Sequence, residues 1–243
     1  MKQPSFSELK TLIEEWSYVE YISPEDIPSI ELYMDQITTF MEKHLSGNKR
    51  NEEDKILTKT MINNYSKNDL LPPSNKKKYS KNHIILLIYI YYLKNFLSIT
   101  DIQNLLTPMS ENYFEKEDGL TMSTIYSDLI RIESEYGIDI RKSISDIYEI
   151  AERECPEDND YLKTLMLILL LSYDIYVKKQ VVEKLIDSIP VKPTGKDTSK
   201  EAKQQEKKAR GASKQQSRKV RETAKAQAKA DKAKSSRQRK AAE

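Results

Sequence analysis

The sequence predicts an all-α fold on three observations. Only 5 glycines and 9 prolines punctuate 243 residues. No run shows sustained period-two alternation. Apolar residues recur at spacings of three and four, which is the period that brings side chains onto one face of a helix.

A first helix is expected over 6–21, where Leu9, Leu12, Ile13, Trp16 and Val19 form one stripe, and Ile27-Pro28 breaks the pattern. A second is expected over 29–44, with Ile30, Tyr33, Met34, Ile37, Phe40 and Met41 as a wide apolar face and Gly47-Asn48 as its stop. Thr58 is placed to cap a third helix that runs to about Lys67, and Pro72-Pro73 prevents continuation. Ser80 caps a long helix over 81–96. Ser98-Ile99-Thr100-Asp101 then has capping-box spacing, with Asp in place of Glu, for a short helix ending near Leu106. Beyond Pro108 further helices are expected over 121–136, 140–153 and 160–189, and Pro190 and Pro193 close the body. The expected division is an N-terminal helix (1–28), a helix-turn-helix domain (29–108), an acidic helical domain (109–190) and a basic tail (191–243).

The apolar runs 84–93 and 165–171 fall well short of the roughly 20 residues that a membrane span needs, so both are expected as buried helices and no membrane contact is expected. Cys155 is the single cysteine, so no intramolecular disulfide can form. The N-terminus has neither the basic start nor the apolar stretch of a signal peptide, and a reducing cytoplasm is the expected location. From Lys196 onward the chain is Ala, Lys, Gln, Arg and Ser, with Val220 the one aliphatic residue larger than alanine. Such a composition cannot bury enough apolar surface to offset its ordering entropy, and disorder is expected there.

The net charge of +2 conceals a strong partition. Residues 1–48 hold 3 basic and 9 acidic side chains, 49–94 hold 10 and 4, 95–190 hold 9 and 19, and 191–243 hold 18 and 6. A polyanion responds to the local field within about one Debye length, ~10 Å, rather than to the total. The middle segment and the tail are therefore the two candidate phosphate-binding regions, the tail for nucleic acid without sequence preference.

Enzymatic chemistry has little to draw on. Beyond carboxylates the reactive inventory is His44, His83 and Cys155, with no Gly-rich phosphate loop, no His-rich metal spacing and no nucleophile elbow. The acidic residues around Glu115, Glu117 and Asp118 lack the alternation and central glycine of a calcium loop. No enzyme activity, cofactor or metal is expected.

The stretch LTKTMINNYSKNDLLPP (57–73), followed by KKKYSKNHI (76–84), carries the functional expectation. With Leu57, Met61, Ile62 and Tyr65 inward, the third helix turns Lys59, Thr60, Asn63, Asn64 and Lys67 outward. A short polar helix of this kind suits the major groove of duplex DNA, where Asn can bond adenine N6 and N7 together and Lys can reach phosphate or a guanine acceptor. Lys59, Thr60, Asn63 and Asn64 are the base-reading candidates. Tyr65, Lys67, Lys76, Lys77, Lys78 and Lys81 are the phosphate candidates. A solvated polar face beside a charge run is the competing reading.

The order of these residues resembles the DNA-binding domain of the MerR family. In that family a recognition helix is followed by a tyrosine pair, a GLLPP turn, a basic wing, Tyr-Ser, a long helix and a short helix of the form SLEEI. Here Tyr65 matches the second tyrosine, Leu70-Leu71-Pro72-Pro73 the turn, Lys76 to Lys78 the wing, Tyr79-Ser80 its exit and Ser98-Ile99-Thr100-Asp101-Ile102 the short helix. The resemblance implies a MerR-like winged helix-turn-helix followed by a helical C-terminal bundle, with double-stranded DNA as partner and transcription regulation as role; the acidic helices after Pro108 would then serve for homodimerisation or for sensing a partner. The family's phosphate-clasping arginines fall at Thr60 and Asn63, its first tyrosine at Asn64, and the wing is several residues shorter. A closer resemblance, carried by IPSIELYMDQITTFM, LTKTMINNY and LLPPSNKKKYSKNHI, is to bacterial proteins of unknown function with a MerR-like helix-turn-helix. A protein-protein interaction module using the same helices as scaffold is the alternative expectation.

Overall fold

In the computed structural model the described residues are 5–17, 19, 21–155 and 159–190. The expected basic tail, and the acidic residues Glu157 and Asp158, lie outside them. The described residues form seven α-helices and one two-stranded antiparallel ribbon, and the compact unit that contains them ends at Pro190.

Helix α1 (Phe6–Trp16) begins with a reciprocal cap, in which the Ser5 backbone N–H donates to Glu8 Oε2 at 2.7 Å and the Glu8 N–H donates to Ser5 Oγ at 3.3 Å. It stops at Trp16, short of the expected Tyr21. The next element is strand β1 (Leu32–Tyr33), which runs directly into α2 (Met34–Leu45). Here the expectation of a helix from 29 is corrected. After Pro28 the chain stays extended because Leu32 pairs with Tyr79, and Tyr33 with Lys78, of strand β2 (Lys78–Tyr79). As a consequence Ile30 and Tyr33, expected on the apolar face of α2, are 68 % and 52 % exposed.

A single 3₁₀ turn, Ser46–Asn48, follows α2. The connection to α3 (Lys59–Lys67) then spans residues 46–58, far longer than the three or four residues of a tight helix-turn-helix. It is held by a Lys49–Glu42 ion pair, an Asn51–Asp54 turn and the buried Ile56 and Leu57. The expected cap of α3 is present, with Thr58 Oγ1 accepting from the Met61 N–H at 3.2 Å. The helix closes in a Schellman motif: the Leu70 N–H reaches the Tyr65 carbonyl at 2.9 Å, the Asp69 N–H reaches that of Ser66 at 3.3 Å, and Asp69 takes the left-handed conformation, φ 55°.

Helix α4 (Lys81–Leu93) is the centre of the fold. Its residues 83–88, with Ile90 and Tyr91, are all buried, which is why its sequence is apolar all round rather than striped. Around it pack Ile37, Met41 and Leu45 of α2, Ile62 and Tyr65 of α3, Ile102 and Leu106 of α5 (Ile99–Tyr113), and Met122 and Tyr126 of α6 (Met122–Glu154). The Ser98 cap of α5 forms as expected, with the Asp101 N–H donating to Ser98 Oγ at 3.1 Å and Ser98 Oγ to Asp101 Oδ2 at 2.6 Å.

Further boundaries differ from the sequence expectation. Helix α5 does not end near Leu106 but passes through Pro108, which forfeits one backbone bond while the helix resumes with Phe114 N–H to Ser110 carbonyl at 3.1 Å. The expected domain limit at 108 therefore falls inside a helix. The helices expected over 121–136 and 140–153 are one continuous α6, because Gly137 is tolerated inside it. Helix α7 (Asp160–Asp187) lays one face on α6 and α1. Its apolar run is consequently not buried throughout: Leu167 is covered, but Ile168 and Leu169 are exposed. A second, smaller core holds Phe6, Tyr148, Ala151 and Leu167, in which Phe6 stacks on Tyr148 with ring centroids 4.5 Å apart. Among the described residues no helix is long and apolar enough to cross a membrane.

Candidate nucleic-acid interface

Helix α3 is amphipathic in the expected register. Ile62 and Tyr65 are buried, while Lys59, Thr60, Asn63, Asn64 and Lys67 are exposed. The spacing alone explains this, since Ile62 and Tyr65 lie three apart on the inward face and the polar residues occupy the remainder. Tyr65, a phosphate candidate, is only 7 % exposed, and burial raises its pKa. Its ring belongs to the core with Leu70 and Leu71.

The wing is a tight hairpin. Asn75 and Lys78 exchange both backbone bonds, at 3.1 and 2.9 Å, and the two residues between them, Lys76 and Lys77, have φ of 49° and 66°. Positive φ at both central positions defines a type I′ turn, which ordinarily takes Asn-Gly or another glycine pair. Two exposed lysines sit here instead, in a conformation that costs an L-residue roughly 1–2 kcal/mol. Their side chains project into solvent at the hairpin tip.

The start of α2 links wing and α3. Lys59, in the first turn of α3, pairs with Asp35 in the first turn of α2. Lys78 lies over the ring of Tyr33, 5.6 Å from its centroid. Residues 33–35 thus touch both elements, so the N-terminus of α3 and the lysine hairpin border the same edge. Tyr33 is the residue sequence reasoning missed here, having assigned it to the core; only the strand pairing with β2 turns it outward.

The cations are not equally available. Lys67, Lys76 and Lys77 are exposed without a partner among the described residues. Lys59 has its carboxylate, Lys78 its ring. Lys81 is half-buried and donates to the Pro24 carbonyl at 3.3 Å, so it braces the loop before β1 rather than standing free for phosphate as expected.

Behind the wing, His83 anchors the exit strand. Its Nδ1 accepts from the Ser80 backbone N–H at 3.0 Å and lies 2.9 Å from Ser80 Oγ. The ring packs edge-on against Tyr79 and Phe114, with centroids 5.3 and 4.7 Å away. Burial lowers its pKa, outweighing the nearby Pro73 and Pro72 carbonyls and Glu31, which favour the cation. Nε2 is buried without a hydrogen-bond partner. His83 is thus buried and structural, and it is not positioned to meet phosphate. Among the described residues no group of His, Cys, Asp and Glu could hold a metal ion.

What the fold and this surface define is a small helical domain built on a central apolar helix, with one polar helix and a lysine hairpin on the same edge. Residues 22–129 match a family model described as a domain of unknown function, DUF1836. No curated protein and no solved structure matches the chain. The matched segment includes α2 to α5, the wing and the first part of α6.

Proposed function

We propose that the protein is a DNA-binding regulator of transcription acting in the cytoplasm as a homodimer, its residues 29–108 forming a MerR-like winged helix-turn-helix. In this reading α3 enters the major groove with Asn63 and Asn64 toward base edges, Lys59 and Thr60 beside them, and Lys67, Lys76 and Lys77 on phosphates. The observation that carries it is the pairing of a short, capped helix exposing Thr60, Asn63, Asn64 and Lys67 with a hairpin tip that holds Lys76 and Lys77 outward at positive φ. Strain of this kind persists where the surrounding structure enforces it and is concentrated at functional sites. Two-fold readers need a second helical surface, and the exposed Ile168, Leu169, Tyr173 and Tyr176 of α7 offer one. The basic tail adds salt-sensitive, sequence-independent affinity.

The test is selection from random duplex DNA across a salt series, with the full chain and with a chain ending at Pro190, where the compact unit ends. A recurring sequence bound by both supports the regulator. In that case Asn63→Ala alters the preferred sequence, whereas Lys77→Ala weakens binding to every sequence alike. Loss of all binding with the tail, or equal effects of both substitutions on all sequences, overturns it.

The exposed apolar side chains of α7 also favour a second reading, a protein-protein interaction scaffold in which the same face takes a partner protein. Partners that survive nuclease treatment during purification support this reading, and partners lost on digestion support the first.

A further inference from the structure

Helices α4, α5 and α6 together with Val19 and Tyr21 line a half-open cavity of about 620 Å³. This is the size of a site for a drug-sized molecule. Its walls are apolar apart from a few groups. Tyr89 and Tyr126 meet edge to face with centroids 5.8 Å apart, and Tyr21 and Tyr92 lie 5.9 Å apart. Glu133 of α6 also lines the cavity, half-buried, and its side chain has no hydrogen bond or ion pair to any described residue. The Tyr89 hydroxyl is buried without a hydrogen-bond partner.

The electrostatics describe a charge waiting for its counterpart. Burial raises the Glu133 pKa. Its negative charge in turn raises those of Tyr21, Tyr89, Tyr92 and Tyr126, after burial as the main cause, and all five side chains line the cavity. A half-desolvated carboxylate without a partner is costly. A neutral apolar guest would deepen that cost and an anion would be repelled. A cation would neutralise it, and tyrosine ring faces attract cations as well.

We propose that this cavity binds a lipophilic organic cation, an amine or onium group on an apolar body, with Glu133 as counter-ion and the rings of Tyr21, Tyr89, Tyr92 and Tyr126 around the charge. The site straddles the end of the matched domain, for Tyr89, Tyr92 and Tyr126 lie within residues 22–129 while Glu133 lies just beyond. It does not depend on whether α3 reads DNA.

The test is calorimetric titration of the full chain with tetraphenylphosphonium and with tetraphenylborate, ions of the same shape and opposite charge. Leu129→Trp, which fills the cavity wall, separates binding in the cavity from binding elsewhere on the chain. The expected result is phosphonium binding that Leu129→Trp removes, borate at least about tenfold weaker in that component, and a loss of about tenfold in phosphonium affinity in Glu133→Gln. Urea unfolding of Glu133→Gln confirms that the variant is folded. Equal cavity binding of the two ions, unchanged phosphonium affinity in Glu133→Gln, or no binding that Leu129→Trp removes would each overturn the proposal.

Discussion

Tyr126 on α6 donates its hydroxyl to the carbonyl of Ile22 at 2.6 Å, a buried bond across 104 residues of chain. Ile22 is the first residue of the matched domain and Tyr126 lies three before its last, so this bond ties the two ends of the domain together. Tyr126→Phe leaves a buried carbonyl without its donor, and a loss of about 1–3 kcal/mol in unfolding free energy is expected. Urea denaturation of wild type and variant measures it, and an unchanged midpoint would show that water replaces the phenol.

The wing stores strain that can be released. Replacing Lys76 by Asn and Lys77 by Gly supplies residues that tolerate the left-handed conformation, and a gain of about 1 kcal/mol or more is expected in the same measurement. If the two lysines contact phosphate, the double variant also lowers the slope of log affinity against log salt by about 2. A variant that gains stability with an unaltered salt slope would remove the hairpin tip from the interface.

His83 should set the acid limit of the domain. Its pKa is lowered in the folded state from an ordinary value of 6.5. The sign follows from linkage: stability is present above the unfolded pKa and is lost as pH falls below 6.5, because the unfolded chain takes up the proton first. A stability profile between pH 7.5 and 5 is expected to fall for the wild type and to be flatter for His83→Gln, with the variant less stable at pH 7.5 through loss of the Ser80 bond. Parallel profiles would assign the acid sensitivity to other groups.

The exposed face of α7 is expected to hold two copies together. Leu169→Glu with Tyr173→Glu puts like charges on both sides of a two-fold contact, and the mass measured by light scattering should fall to that of one chain. A wild-type chain that is already monomeric at micromolar concentration would assign that face to another partner.

The helical class, the caps and the faces of the short helices were legible in the sequence. Thr58, Ser98 and the inward pair Ile62 and Tyr65 are local features, decided by hydrogen bonds and periodicity within a few residues. The outward set Lys59, Thr60, Asn63, Asn64 and Lys67 was legible for the same reason. Tertiary structure decided what distance along the chain conceals. The pairing of Leu32 and Tyr33 with β2 converted an expected helical turn into a strand and exposed Tyr33. The brace from Lys81 to Pro24 and the pairing of Lys59 with Asp35 sorted lysines that look alike in sequence. Gly137 and Pro108 read as interruptions because local propensity penalises both, yet each lies inside a continuous helix. The cavity around Glu133 was beyond reach of any periodicity, since Tyr21, Tyr89, Tyr92, Tyr126 and Glu133 come from three separate parts of the chain and only the packing of α4, α5 and α6 brings them to one charge.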